Sequence, residues 1–478
     1  MSVLSPARIV AFEMVSERRR RGAHMRDLLR TSRAMSGLAP RDRALASRLT
    51  LGVTATVGSL DTMIDSHLRH GVHIEPRVRD ALRVSCYELC WLDTPTAVVI
   101  SQGVELVRRV VPRAAGLANA VLHRVSEHDI AAVCEAEHRI YEGSSDLLAK
   151  DIAIACGMPE PLVYQLLASC GEEVCRECAL AHLQPAPVYI ATNLAMLSLE
   201  EAMRRMQQAR LEVQPLAIPG SWQVTNPARL APSGLVRNAL VFPVDLAAQM
   251  VARIAGPLPG QHVLEVGQGR GTKTLLLQMA ALEQGGLAEI VSIDSEDYKV
   301  RLASSRMAVA GVSAHTQNLC FDASQLDSPQ LPTALSGGFD MVFIDAPCSG
   351  TGTLRRHPEI VWGLSRASVM AHRADSLPAL QLRMLRAASQ RVRPGGSLAY
   401  ATCSLLEQEN TGVVRAFLES SEGRSFEQVS VLEAPAVRSL SDAAYGLVAS
   451  CVTSEGYFAS HPRITSFDGH FCALLRRV

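Results

Sequence analysis

The sequence predicts a multidomain protein with three parts: an all-α N-terminal domain, a small α+β module, and a C-terminal α/β domain with a parallel sheet. Apolar residues recur at helical spacing in the first part. The second part mixes helical and strand-like segments, and in the third part short apolar runs alternate with helical stretches. The predicted boundaries are residues 1–140, 145–240 and 241–478. A chain of 478 residues, 48% of them hydrophobic, is long enough to bury several cores.

The N-terminal domain is predicted from helical periodicity that runs from Pro6 to about Val125. Residues 1–130 contain 19 Arg and no Lys against 13 acidic residues, although the whole chain is neutral. The densest cluster is Arg18–Arg21. Because clustered Arg side chains neutralise phosphates, this domain is a candidate nucleic-acid contact. A solvated helix face is the alternative interpretation.

The α+β module is predicted from a strand-like run at residues 187–190 and a helical stretch at 200–211. The α/β domain is predicted from apolar runs separated by helical stretches, a pattern typical of βαβ units. These runs lie at residues 261–266, 289–293, 316–321, 339–344 and 396–402. A further run at 470–475 is expected to add an edge strand.

A glycine-rich loop follows the first of these strands. After Glu265 at the strand end, residues 267–274 read Gly-Gln-Gly-Arg-Gly-Thr-Lys-Thr. Glycines at alternate positions let the backbone approach a nucleotide-like ligand without a side-chain clash. The loop suits a dinucleotide or S-adenosylmethionine, and a tight structural turn is the alternative. The residues expected to contact a ligand here are Glu265, Gly267, Gln268, Gly269, Arg270, Gly271, Thr272 and Lys273.

Acidic residues also end the next two strands. Asp294 is placed to accept hydrogen bonds from ribose hydroxyls, and Asp322 is placed to meet an adenine amino group. Either residue taken alone is better explained as a capping residue than as a ligand contact, whereas three successive strand ends with Glu265, Asp294 and Asp322 favour a ligand. The sequence has no Gly-Lys-Ser or Gly-Lys-Thr phosphate-binding motif, which disfavours an ATPase.

Two cysteines follow the last two predicted strands of the parallel sheet. Cys348 comes after the run at 339–344, and Cys403 comes after the run at 396–402. Ligands of open parallel sheets bind beyond the carboxyl ends of the strands, so we expect both thiols to face one crevice. The 12 cysteines show no disulfide framework, so they are expected to be reduced and available as nucleophiles. Inert buried thiols are the alternative for either one taken alone.

A second cysteine cluster invites a metal interpretation. Cys175, Cys178 and His182 share a helical face, with Cys170 nearby. The segment is otherwise amphipathic and has no second Cys-x-x-Cys pair, so we predict no metal site. With no signal sequence and no apolar run of membrane-spanning length, a cytoplasmic protein is expected. We also expect it to act as a monomer.

The two cysteine motifs resemble those of the Sun, or RsmB-type, ribosomal RNA small subunit cytosine-5 methyltransferases. Residues 345–350 read Asp-Ala-Pro-Cys-Ser-Gly and residues 400–404 read Tyr-Ala-Thr-Cys-Ser. The segments 41–46 and 116–124 match the NusB-like domain of that family, and 468–471 matches its closing strand. The resemblance implies an N-terminal NusB-like RNA-binding domain, an α+β RNA-binding module and a Rossmann-like class I methyltransferase domain.

The activity that the resemblance implies is methyl transfer from S-adenosylmethionine to carbon 5 of a cytosine in RNA, most directly 16S ribosomal RNA. Cys403 would attack carbon 6, and Cys348 would help release the product. Asp345 would lie near the ring N3 and the methyl donor, and Lys273 matches a Lys of the family motif. The residues alone leave open which of the two cysteines is the nucleophile, because DNA cytosine methyltransferases use a Pro-Cys thiol for that step.

The chain also departs from the family pattern. The glycine loop lacks the usual Cys-Ala-Ala-Pro, an Arg-x-Asn is replaced by Ala191-Thr192-Asn193, and a Gln-Asp is replaced by Val244-Asp245. These changes leave two alternatives: an enzyme that methylates transfer RNA, or a catalytically inactive RNA-binding factor for ribosome assembly.

Overall fold

The computed structural model describes residues 4–143, 149–370, 373–464 and 466–478. The chain forms two compact units. The first contains Met1–Pro185 together with Thr353–Arg366, and the second contains Ala186–Gly352 together with Ala367–Val478. A segment that follows the Pro-Cys motif in the chain therefore belongs to the helical first unit.

The first unit is all-helical, which confirms the predicted N-terminal fold class. Its helices are α1 Pro6–Arg21, α2 Met25–Thr31, α3 Arg33–Ser36, α4 Pro40–Ser66, α5 Pro76–Trp91, α6 Thr96–Val110, α7 Ala115–Glu142, α8 Ala149–Cys156 and α9 Glu160–His182. The core forms where α4 meets α5. There Gly52 allows close approach, since a Cβ at this position would lie 1.9 Å from the ring of Tyr87. A buried ion pair, Arg8 with Glu88, ties α1 to α5.

Helices α8 and α9 belong to the first unit, whereas the sequence grouped residues 145–240 into one module. Their contacts explain the difference. The indole of Trp91 donates to the carbonyl oxygen of Ala155 at 2.8 Å, and a Cβ at Gly157 would lie 2.3 Å from the Thr56 side chain. The apolar faces of these helices thus complete the helical core, and the pattern of a single helix does not reveal such a partner.

The second unit begins with a small antiparallel sheet. Its strands are β1 Val188–Thr192, β2 Val213–Pro215, β3 Ser221–Val224 and β4 Val241–Pro243, in the order β2-β3-β1-β4. Helix α10, Leu199–Gln208, begins at Ser198, whose side chain accepts a hydrogen bond from the backbone of Glu201. The predicted strand at 187–190 and helix at 200–211 are both present, with boundaries that differ by one to three residues.

The larger sheet carries the candidate site. Its strands are β5 His262–Val266, β6 Glu289–Asp294, β7 Thr316–Cys320, β8 Phe339–Asp345, β9 Val392–Thr402, β10 Phe426–Val429, β11 Phe458–Ala459 and β12 Phe471–Arg477. The order is β10-β12-β9-β8-β5-β6-β7, with β11 paired to β12. Strands β5 to β9 pair in parallel, as predicted. The expectation that residues 470–475 form an edge strand is wrong, because β12 pairs antiparallel with both β9 and β10.

Helices cover both faces of this sheet. They are α11 Leu246–Ala255, α12 Thr272–Glu283, α13 Asp297–Val309, α14 Thr333–Ser336, α16 Leu377–Ser389, α17 Thr411–Leu418, α18 Pro435–Arg438 and α19 Asp442–Ala449, while α15, Ile360–Gly363, lies in the first unit. Neighbouring strand residues point to opposite faces, so Val263 and Leu264 enter two different cores. This is the predicted Rossmann-like arrangement. No helix within the described residues is long and apolar enough to cross a membrane.

Candidate active site

The glycine loop forms a tight cradle between β5 and α12. Gly267, Gly269 and Gly271 all have positive φ, at +83°, +58° and +75°. A Cβ on Gly267 would lie 2.3 Å from the carbonyl oxygen of Asp345, and one on Gly271 would lie 2.9 Å from the side chain of Met307. A Cβ on Gly269 would meet nothing within 4 Å. Two of the glycines are therefore required for packing, and the middle one leaves open space.

Buried polar groups around this cradle suit a polar ligand. Glu265 accepts the hydroxyl hydrogens of Thr274 and Ser292, each at 2.6 Å, and burial raises the pKa of its carboxyl to about 7. Its other oxygen and the amide oxygen of Gln268 are buried and have no hydrogen-bond partner. Unsatisfied buried oxygens are costly. Their presence beside a glycine cradle fits a ligand with hydrogen-bond donors, as S-adenosylmethionine has.

The other predicted loop contacts have structural partners as well. Asp294 accepts the backbone N–H of Gly269 at 2.9 Å, so it holds the middle of the loop. Arg306 donates to the carbonyl oxygen of Arg270 at 2.5 Å and to the hydroxyl of Thr272 at 3.0 Å. These bonds fix the loop from the β6 side of the sheet.

Asp322 is exposed and caps the turn after β7. Its carboxylate accepts the backbone N–H and the hydroxyl of Ser324 at 2.9 and 2.8 Å. This is the capping role that the sequence left open, and the adenine contact stays a prediction.

The two motif cysteines lie side by side. Strands β8 and β9 are parallel neighbours in which Asp345 pairs with Ala401, so the loops that follow begin at the same level. The Sγ atoms of Cys348 and Cys403 are 3.3 Å apart, and the backbone N–H of Cys403 also donates to the sulfur of Cys348 at 3.3 Å. Both residues are half-buried. The structure thus brings together the two thiols that the sequence expected to share a crevice.

An ion pair lies beside the thiols. The ammonium of Lys273 is 2.6 Å from a carboxylate oxygen of Asp345. Burial opposes the charge on Lys273, but Asp345 outweighs it and raises the pKa of the lysine. Lysine therefore stays charged in a mostly buried position, next to the residues expected to react.

The two thiols differ in acidity. The hydrogen bond from Cys348 lowers the pKa of Cys403, burial acts against this, and the positive charge of Lys273 lowers the pKa further. The pKa of Cys348 lies well above its ordinary value because it is the hydrogen-bond donor to Cys403 and is buried. Cys403 is therefore the thiol that ionises first.

Sequence reasoning missed the residues that fix the two cysteine loops. The backbone N–H of Gly352 donates to the carbonyl oxygen of Cys403 at 2.9 Å, and that of Gly469 donates to Gly352 at 2.8 Å. Asn410 accepts the hydroxyl of Thr402 at 2.5 Å. The neighbouring Glu409 is fully buried. The available signal was a polar Glu-Asn pair shortly after the apolar residues that follow Cys403.

The residues that the two altered motifs retain have structural roles. Asn193 is buried and donates to the carbonyl oxygens of Ala239 and Ala310 at 2.8 and 3.0 Å. Asp245 caps α11 and also accepts the backbone N–H of Asp468 at 3.0 Å. The retained residues of the two altered motifs thus hold the second unit together.

Cys175, Cys178 and His182 of the cysteine cluster on α9 are buried. Burial raises the pKa of Cys175 to about 12 and lowers that of His182 to about 4. Within the described ranges, the one group with three possible metal-ligand atoms within 4.8 Å is His24, His357 and Glu359. In that group the ring of His24 already bonds to Glu359 at 2.7 Å.

Two family models match the chain. The model for the 16S rRNA methyltransferase RsmB/F matches residues 252–476, and the model for the NusB family matches residues 5–127. Both ranges agree with the helical and α/β regions seen in the structure.

Curated relatives match over most of their length. Ribosomal RNA small subunit methyltransferase B of Vibrio cholerae is 29% identical over 391 residues, which are 81% of this chain and 83% of the relative. The protein of that name from Thermus thermophilus is 28% identical over 409 residues, 83% of this chain and 84% of the relative. A Mycobacterium tuberculosis protein named as the methyltransferase Rv1407 is 30% identical over 429 residues, which are 86% of each chain.

Solved structures share the fold. The crystal structure of PH0851 matches with a TM-score of 0.74 at 19% identity, over the whole of both chains. A methyltransferase homologue from Pyrococcus horikoshii matches with a TM-score of 0.53 at 20% identity, over 69% of this chain and 99% of that one. The family models and the curated relatives show that the chain belongs to the RsmB/F family of 16S rRNA methyltransferases and carries a NusB-family domain at its N-terminus.

Proposed function

We propose that this protein transfers a methyl group from S-adenosylmethionine to carbon 5 of a cytosine in 16S ribosomal RNA, acting as a cytoplasmic monomer. The observation that carries the proposal is the pair Cys348 and Cys403, 3.3 Å apart and beside the ion pair of Lys273 with Asp345. Relatives named ribosomal RNA small subunit methyltransferase B support the substrate class.

The cofactor would be held by the loop at 267–274 together with Glu265, Asp294 and Asp322. Its sulfonium would supply an electrophilic methyl group. The open space at Gly269 and the unsatisfied oxygens of Glu265 and Gln268 favour this use of the loop. In place of the Cys-Ala-Ala-Pro of the family loop, this chain has glycines whose positive φ values allow a tight turn.

Cys403 acts as the nucleophile in this proposal. Its thiolate adds to carbon 6 of the cytosine, and the electron pair of the ring double bond moves so that carbon 5 becomes nucleophilic. Asp345, which pairs with Lys273, accepts a hydrogen bond from the protonated N3 and so favours the electron-poor ring. The lowered pKa of Cys403 supports this assignment over Cys348.

Release of the product breaks the bond between Cys403 and carbon 6. The proton on carbon 5 leaves to a base, its electron pair restores the ring double bond, and the sulfur departs as a thiolate. Cys348 assists this elimination from 3.3 Å away. Its raised pKa keeps it protonated, so it can stabilise the departing thiolate by a hydrogen bond.

The helical domain and the small α+β module would bind the RNA, while the α/β domain would receive an unpaired or flipped cytosine. Ion pairs reduce the free charge of the N-terminal Arg cluster: Arg19 pairs with Asp80, and Arg20 and Arg21 pair with Glu17. Binding by this domain is therefore expected to depend on shape as well as on charge.

The test is to incubate the protein with labelled S-adenosylmethionine and ribosomal RNA from cells that lack the enzyme. Cys403→Ser should abolish methyl transfer, and Cys348→Ala should accumulate a covalent protein–RNA adduct. Transfer RNA in a parallel reaction tests the alternative substrate. If the protein fails to bind S-adenosylhomocysteine in calorimetry, it is an inactive assembly factor instead. Bisulfite sequencing of the product would identify the cytosine.

A further inference from the structure

A single buried carboxylate joins the two cysteine loops. Glu409, in the 3-10 turn Glu407–Glu409, is fully buried. One of its oxygens accepts the backbone N–H of Ser349 at 2.8 Å and the side-chain amide of Gln381 at 3.0 Å. The other accepts the hydroxyls of Ser349 and Ser404, the latter at 2.5 Å. Ser349 follows Cys348 and Ser404 follows Cys403, so Glu409 bonds to the residue after each thiol.

The donor set fits an ionised carboxylate. All four groups donate to the two oxygens of Glu409, and a carboxylate has about four acceptor positions. Several donors on a charged acceptor make the contact stronger than neutral hydrogen bonds would.

Other bonds keep Glu409 in place. Its carbonyl oxygen accepts the phenol hydrogen of buried Tyr400 at 2.7 Å. Gln381 also donates to the carbonyl oxygen of Pro347 at 2.8 Å, on the other side of Cys348. Glu409 is therefore attached to strand β9 through its backbone carbonyl and to helix α16 through its carboxylate.

The electrostatic effect of Glu409 opposes the chemistry. Its negative charge raises the pKa of both cysteines, which makes the thiolate of Cys403 harder to form. A carboxylate that only tuned acidity would be a disadvantage here. Its benefit must come from geometry.

We propose that Glu409 is a positioning residue that holds the loops of Cys348 and Cys403 at the separation which addition and elimination require. The kinetic part of this inference rests on the proposed methyl transfer, whereas the geometric part does not.

The experiment compares Glu409→Gln with the wild-type protein and with Glu407→Gln. Gln has nearly the shape of Glu but lacks the charge, and Glu407 is half-exposed, with its carboxylate 3.8 Å from Arg415. Three quantities are measured: the rate at which diamide forms a disulfide between Cys348 and Cys403, kcat for methyl transfer, and the affinity for S-adenosylhomocysteine. Thermal unfolding confirms that each variant is folded. Glu409→Asp, which keeps the charge but shortens the side chain, provides a second variant.

Positioning predicts that Glu409→Gln slows both disulfide formation and kcat by about tenfold, although removal of the charge favours the Cys403 thiolate. Affinity for S-adenosylhomocysteine should stay the same, and Glu407→Gln should match wild type in all three. Wild-type rates of disulfide formation in both Glu409 variants would overturn the inference, as would a parallel loss of cofactor affinity. If the wild-type protein transfers no methyl group but Glu409→Gln still slows disulfide formation, the proposed function fails and the positioning role stands.

Discussion

Two pairs of cysteines in this protein have opposite properties. Cys348 and Cys403 lie at the ends of two parallel strands, beside a lysine, and the pKa of Cys403 is lowered. Cys175 and Cys178 lie on one face of α9, where burial raises the pKa of both. The difference comes from the surroundings: Cys403 has a thiol donor and an ammonium beside it, whereas burial dominates at the α9 pair. Reactivity is therefore a property of the site, which a Cys-x-x-Cys spacing does not indicate.

The largest expected effect is on alkylation by iodoacetamide. At pH 8, Cys403 should react about 1,000-fold faster than Cys175, because the thiolate fraction falls tenfold for each unit by which the pKa exceeds the pH. Mass spectrometry of digested protein gives the rates, with the exposed Cys134 as the internal reference. Equal rates for Cys403 and Cys175 would remove the distinction between the two pairs.

The α9 cluster should affect the free energy of unfolding rather than the reactivity of its thiols. The pKa of buried His182 is about 4 in the folded protein, below its ordinary value of 6.5, so the unfolded chain binds the extra proton. This contribution is complete above pH 6.5 and is lost as the pH falls towards 4. Between pH 7 and pH 5 it should lower the free energy of unfolding by about 2 kcal/mol.

His182→Gln should remove that part of the pH dependence in urea unfolding. The matched change His70→Gln, at an exposed histidine in the same unit, should leave it in place. Identical pH profiles for the two variants would mean that His182 titrates normally.

A smaller effect is expected at Lys273. Lys273→Gln removes the positive charge that lowers the pKa of Cys403, so the midpoint of Cys403 alkylation should move to higher pH. A shift of one unit would slow alkylation at pH 8 by about tenfold. Lys150→Gln, at an exposed site in the first unit, is the control. An unchanged midpoint would leave the Cys348 hydrogen bond as the cause of the lowered pKa.

The smallest expected effect is that of metal removal. A chelator should leave the melting temperature unchanged, and metal analysis should find no stoichiometric zinc, because the α9 thiols are protonated core residues and zinc requires thiolates. A chelator that lowered the melting temperature would restore the metal interpretation of the α9 cluster.

Much of the sheet domain could be predicted because local pattern and tertiary environment agree there. The strands before Cys348 and the glycine loop are mostly apolar, as expected for strands buried on both faces, although Glu265 lies in one and Asp340 in the other. Strand β9 begins earlier than predicted, at Val392, which pairs with Phe339 of β8. Residues 393–395 are polar or turn-forming, and the register between the two strands shifts before Ser397 pairs with Met341. The sequence predicts β12 as an edge strand because nothing in the sequence of β12 shows that β10 pairs with its outer side.

The parts of the site that escaped prediction depend on long-range contacts. In the sequence, Glu409 is an ordinary acidic residue near the start of a helix. Only the folded structure brings four hydrogen-bond donors to its carboxylate. The free charge of the Arg cluster also depends on a long-range contact, because the most buried partner of the cluster, Asp80, lies about 60 positions away in the sequence. Net charge in a window of sequence therefore overstated the free charge.

The segment Thr353–Arg366 has a consequence for biosynthesis. It belongs to the first unit, yet it is separated from Pro185 by more than 160 residues of the second unit. A ribosome synthesising this chain has already produced strands β5 to β8 before the helical unit has all of its residues. The helical unit can therefore acquire its last segment only after much of the sheet domain has been synthesised. A single cleavage after residue 185 likewise separates the helical unit from part of itself.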